Sequence, residues 1–283
     1  MKAGASRNVS RVDKRNGYEG VNHEHFQAVR SRFNRYLARF RGPDGAFPAM
    51  QALKRRHTAH VVADAGRVMA AEGWPPPQVL LGRTAALLHD IGRFSQYAEF
   101  GTFQDSASVN HAERGCAVMV QEGICDGLPE DDARIIFEAV RLHNGLVLPS
   151  DTAADVARIA YLVRDADKLD IFRVMEEAVE HKQLEHNPEI TWNMQLAGGV
   201  SEPMLAALDA GSAINYRDVT TFCDFVMVQV SWLSGQLHYA ESRRLARERR
   251  VLEYRERLVL ARCDDPRISR YFQRFSFLFT PNE

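Results

Sequence analysis

The 283 residues carry a formal net charge of -1, with 45% hydrophobic and 26% charged side chains. That balance suits a globular chain with a large core and gives no bulk attraction to a nucleic-acid polymer or an anionic membrane surface, so neither is expected as a partner. The four cysteines, Cys116, Cys125, Cys223 and Cys263, are too scattered for a zinc ribbon or a redox pair and read as reduced thiols.

Residues 1–21 are basic and lack an apolar stretch of signal-peptide type, which predicts a flexible tail. No later run is apolar for long enough to span a bilayer, and the chain is read as cytoplasmic. Apolar spacing near four residues dominates and strand-like alternation is nearly absent, so the fold class is all-α. A first helix carries the stripe Phe26, Val29, Phe33, Tyr36, Leu37 and Phe40 and stops at Gly42–Pro43. A second runs from about Pro48 to Glu72, ahead of "WPPP", and a third from about Pro77 to the pair His89–Asp90. The aromatic stretch "GRFSQYAEFGTFQDSAS" shows no clean period and reads as an ordered loop. Further helices are expected over roughly Ser106–Glu122, Pro129–His143 and Asp151–Lys182, and one or two long ones over Arg217–Ala261. The run "ESRRLARERRVLEYRERL" in the last of these reads as a solvated face laced with i,i+4 pairs. The expected organisation is the tail at 1–21, a helical domain over 22–216 and a helical extension over 217–283 packed on it.

Several of these helices carry polar residues where the core should be. The run "AALLHD" ends four apolar residues on His89 and Asp90. His57 shares a stripe with Leu53, Val61 and Val68, and His111 lines up with Gly115, Val118 and Met119. His143 follows Ile136 and Val140, while Asp167 interrupts Val156, Ala160, Val163, Ile171 and Val174. Burying four imidazoles and two carboxylates unpaired would be prohibitive, and a shared cation resolves every case. Nitrogen and oxygen donors without a thiolate suit a transition metal and argue against a structural cysteine site or an all-oxygen calcium cage. Six donors exceed the needs of one tetrahedral ion, which suggests two ions with a carboxylate between them.

The segments "RRHTAHVVADA", "AALLHDIGR" and "RDADKLDIF", with "NHAERG" and "VRLHNG", resemble the HD-domain metal-dependent phosphohydrolases, in the subgroup whose additional histidines build a binuclear site. The resemblance spans His57 to Phe172 and implies a helical bundle with N- and C-terminal extensions. It also implies that His57, His89, Asp90 and Asp167 hold one ion and that Asp90 bridges to a second on His111 and His143. The cofactor would be one or two divalent ions (Mn, Fe, Co, Ni, Zn or Mg). A metal-held hydroxide would attack phosphorus, with Asp90 at the catalytic centre, Arg93 clamping a phosphate oxygen and His60, beside His57, orienting a ligand or donating a proton. The segments that mark cyclic-dinucleotide, alarmone and deoxynucleotide triphosphate hydrolases are absent, which leaves the substrate open; the leading expectation is a small phosphorylated metabolite, a nucleotide or phosphomonoester. Two other readings share the pattern: a mixed-valent di-iron oxygenase of the same fold, and a non-catalytic nucleotide sensor. A homo-oligomer is left open.

Overall fold

Side-chain caps at Asn22, Asn110 and Thr221 open the helices that begin at His23, His111 and Phe222. The computed structural model describes residues 20–279 apart from 192, 213 and 215. The expected tail at 1–21 therefore lies outside the described residues except for its last two. Of these, Val21 is buried and donates its N–H to Asp132 Oδ2 at 2.7 Å.

Among the described residues twelve α-helices follow in order: α1 (His23–Ala38), α2 (Ala49–Ala71), α3 (Pro76–Leu88), α4 (Ile91–Phe100), α5 (His111–Gln121), α6 (Glu130–Leu142), α7 (Ala154–Glu180), α8 (Glu202–Ala210), α9 (Phe222–Gly235), α10 (Ala240–Glu248), α11 (Val251–Leu260) and α12 (Pro266–Phe279). No strand occurs among the described residues beyond an isolated bridge between Gln195 and Thr221. The fold is all-α. Helix α2 packs against α3 and α7, α6 against α7, and α4 against α5. The C-terminal helices join through α10 on α7 and α2 and through α9 on α11. No helix among the described residues is long and apolar enough to cross a membrane.

Two expectations need correction. Residues 91–100, within the stretch read as a loop, are helical. Ile91, Phe94 and Gln96 face inward, and Gly101 ends the helix at φ +69°. Gly92 hides the pattern because it stands where an apolar residue would be expected. A Cβ there would meet the His111 carbonyl oxygen at 2.2 Å and the Gly115 nitrogen at 2.5 Å, so only glycine lets α4 lie this close to α5. Likewise, residues 106–110 do not begin a long helix. A 3₁₀ turn (Asp105–Ala107) comes first, and α5 starts at His111, capped by the Asn110 side chain on the amides of Ala112 and Glu113.

The second correction concerns 217–261, which form three short helices, with breaks at Leu237–Tyr239 and at Arg250, whose φ is +53°. Nor is the charged run simply solvated. Arg244 does pair with Glu241 and Glu248 at the surface, but Arg249 grips Asp64 of α2 through two bonds of 2.6 and 2.7 Å. Arg255 is fully buried against Glu176 of α7. In the reverse direction, Asp165 of α7 accepts the backbone N–H groups of His238 and Tyr239 at 2.9 and 2.8 Å.

Candidate metal centre

His89 and Asp90 occupy the junction between two helices: His89 closes α3 and Asp90 opens α4. The same placement recurs. His111 is the first residue of α5 and His143 closes α6, whereas His57 and Asp167 sit inside the long helices α2 and α7. All six come together at one point of the bundle. The ligand atoms of His57, His89 and Asp90 lie within 4.8 Å of one another, and so do those of Asp90, His111 and His143. Asp167 Oδ1 joins the first group, 3.1 Å from His57 Nε2 and 3.8 Å from His89 Nε2.

Asp90 divides its two oxygens between these groups. Oδ2 faces His57 and His89 at 3.5 and 3.6 Å, and Oδ1 faces His111 and His143 at 3.6 and 3.9 Å. Lys54 Nζ, one turn before His57, also reaches Oδ2 at 2.8 Å. Burial alone would raise the Asp90 pKa, but Lys54, His89, Arg93 and His111 hold it well below the ordinary carboxylate range. The carboxylate stays ionised.

The ring orientations decide what the cluster can bind. His89 and His143 are held through Nδ1 by the carbonyl oxygens of Ala86 (2.8 Å) and Val140 (2.6 Å). Those oxygens only accept, so each Nδ1 carries the hydrogen and each Nε2 presents a lone pair. The carboxylates of Asp105 and Asp170 fix His111 and His57 in the same sense, both at 2.7 Å. Burial pushes His111 and His143 down to about 4, keeping them neutral, and it lowers His89 as well. For His57, burial and the Lys54 charge act downward, but bonds to Asp167 and Asp170 outweigh them and raise its pKa.

As a result, the bare Nε2 atoms of His111 and His143 confront each other at 3.1 Å, while His57 Nε2 lies 3.2 Å from that of His89 and 3.1 Å from Asp167 Oδ1. Two nitrogens bound to one ion at about 2.1 Å are roughly 3.0 Å apart at a right angle and roughly 3.4 Å apart at a tetrahedral one. The observed separations fall between these values. Lone pairs so placed repel unless a cation lies between them, so the donor set fits divalent ions on chemical grounds as well as by distance.

The remaining candidates are placed as follows. Arg93 borders the cavity, its Nη1 donating to Asp105 Oδ1 (2.8 Å), Gln96 Oε1 (2.9 Å) and the Phe103 carbonyl. It thereby braces the carboxylate that orients His111. His60 lies behind the cluster with its ring 45% exposed and its Nδ1 3.1 Å from Asp170 Oδ1, and it does not border the cavity. Phe103, between α4 and α5, borders the cavity, whereas Phe94 of α4 belongs to the core.

Sequence reasoning passed over Asp170 and Arg164. Asp170 stands three residues after Asp167 in "RDADKLDIF", the spacing that puts both on one face of α7. Arg164 is buried in α7 and donates to the carbonyls of Leu142, His143, Gly145 and Leu146, holding the turn that presents His143. No local pattern announces it.

Residues 55–172 match the HD-domain family model. This segment is an HD domain. Such domains are in general metal-dependent hydrolases, and the His/Asp groups described above could hold the divalent ions that this chemistry needs. No curated protein and no solved structure matches the chain. The HD segment leaves α1 and everything after α7 unaccounted for.

Proposed function

We propose that the protein is a metal-dependent phosphohydrolase that cleaves the phosphate ester of a small metabolite, a nucleotide or phosphomonoester, at a binuclear centre held by His57, His89, Asp90, His111, His143 and Asp167. The single observation that supports this most strongly is the division of Asp90, one oxygen toward each pair of facing imidazole nitrogens. Divalent ions bound there would lower the pKa of a water and neutralise charge on phosphoryl oxygens.

The chain's own groups do the positioning. Asp170 and Asp105, each on the Nδ1 of a ligand histidine, fix its ring and strengthen its donor nitrogen. His60 supports Asp170 from outside, which suits orientation and not proton donation into the cavity. Arg93 spends Nη1 on Asp105, Gln96 and Phe103, while its Nη2 makes no hydrogen bond among the described residues and is the edge that meets a phosphate oxygen. Lys54 sits on Asp90 at the cavity edge and limits the negative charge an incoming anion encounters.

The test is release of inorganic phosphate from a panel of phosphate esters by protein reconstituted with Mn, Co, Ni, Mg or Fe in turn. Turnover with at least one metal, lost on chelation and restored on reloading, is the expected result. No phosphate from any ester, together with a mixed-valent EPR signal from the iron-loaded protein, would replace this reading with oxygenase chemistry.

A further inference from the structure

The cluster opens into a cavity of about 930 Å³, near the upper end of the roughly 300–1,000 Å³ typical of ligand sites and far more than a phosphoryl group fills. Its two ends differ in chemistry and in origin. The polar end is the His/Asp cluster, wholly within residues 55–172. Beyond that segment the lining takes the apolar Met194, Val219, Phe225 and Trp232 alongside polar residues such as Glu189 and Gln195.

Lys168 sits between the ends. It follows Asp167 in sequence, borders the cavity and is only 8% exposed. Its Nζ stands 5.6 Å from the centre of the Trp232 ring and makes no hydrogen bond or ion pair among the described residues. Asp165 and Asp167 act on this ammonium without contacting it, and a buried ammonium with no carboxylate in contact that borders a cavity matches an anionic occupant. The aromatic rings and thioethers beside it match a flat apolar body, since methionine sulfur and aromatic faces both pack well on rings.

We infer that the preferred substrate is a phosphate ester with an apolar, ring-bearing body, its anion shared between the His/Asp cluster and Lys168 and its ring seated against Trp232, so that the residues after the HD segment select the substrate. This rests on the reading of the cluster as a phosphoryl site. The probes are therefore chosen not to depend on turnover: phenylphosphonate and methylphosphonate share an anionic head, are not hydrolysed, and differ in the ring.

Titration of the Mn-loaded protein by calorimetry should show phenylphosphonate binding at least about tenfold tighter. Lys168→Met should weaken both. Trp232→Ala should reduce the preference to under about threefold, the loss falling on the phenyl side. Because Trp232 is buried and its truncation risks the fold, Val219→Phe provides a second variant that narrows the same end without emptying it, and it should likewise erase the preference. Equal binding of the two phosphonates to the unaltered protein, binding of neither, or a preference that survives both wall variants would overturn the inference. A ring preference erased by Trp232→Ala in a protein that releases phosphate from no ester would uphold the wall's role and overturn the hydrolase reading alone.

Discussion

Two buried polar centres lie on α7, and they are built on opposite principles. Around Arg255 the guanidinium is 0% exposed, yet Glu176, the Gln229 side chain and the carbonyls of Phe172 and Val251 accept its hydrogens, and it stacks 4.6 Å from the centre of Phe172. That centre is closed. At the His/Asp cluster the outward nitrogens are all engaged and the inward ones face each other at 3.1 and 3.2 Å. A buried charge whose nitrogens all donate hydrogen bonds holds the fold together, whereas a cluster whose ring nitrogens converge on one another is shaped for a cation.

The contrast is broken most directly by Asp90→Ala, which takes a donor from both halves of the cluster. Phosphate release should fall by more than about 10³-fold and bound metal, by elemental analysis, to background, while the helical circular dichroism is kept. A metal-loaded, active variant would refute the bridging role. Next, Arg255→Ala should cost about 3–5 kcal/mol, because it strands the Glu176 carboxylate, and should lower Tm by on the order of 10 °C with metal per folded chain unchanged. If instead metal content dropped with it, the two centres would not be separate.

Metal removal should be milder. An ion held at 100-fold above its Kd adds about 2.7 kcal/mol, so chelation should lower Tm by roughly 5–10 °C in the unaltered protein and leave Asp90→Ala unmoved. Asp170→Asn keeps the shape but weakens the acceptor behind His57, and metal affinity should fall about 10–100-fold by competition titration. At the small end, Arg244→Ala breaks only the exposed pairs to Glu241 and Glu248, and neither Tm nor metal content should change measurably.

These regions also differ in how readable they are. A histidine or aspartate on an apolar stripe is a local anomaly, visible from spacing of three and four residues alone, and so His57, His111, His143 and Asp167 stand out before any fold is known. Arg255 sits in a run of charge, where nothing local separates it from solvated neighbours such as Arg244. Its burial depends on Glu176, 79 positions earlier. Helix α4 escaped notice for a related reason: Gly92 looks like a breaker until α5 is seen lying against it. Asp170 needed knowledge of which carboxylate meets His57, a pairing between α2 and α7.

The sequence by itself determined the all-helical class, the inward-facing character of six polar residues and the HD resemblance, because helix periodicity and motif are properties of neighbours along the chain. Only the tertiary structure decided that the ring nitrogens converge, that Asp90 splits its oxygens between two halves, and that helices beyond the HD segment wall the cavity. Those are distances between helices set by packing contacts such as Gly92 on α5 and Arg164 on the turn after α6, and no single helix encodes them.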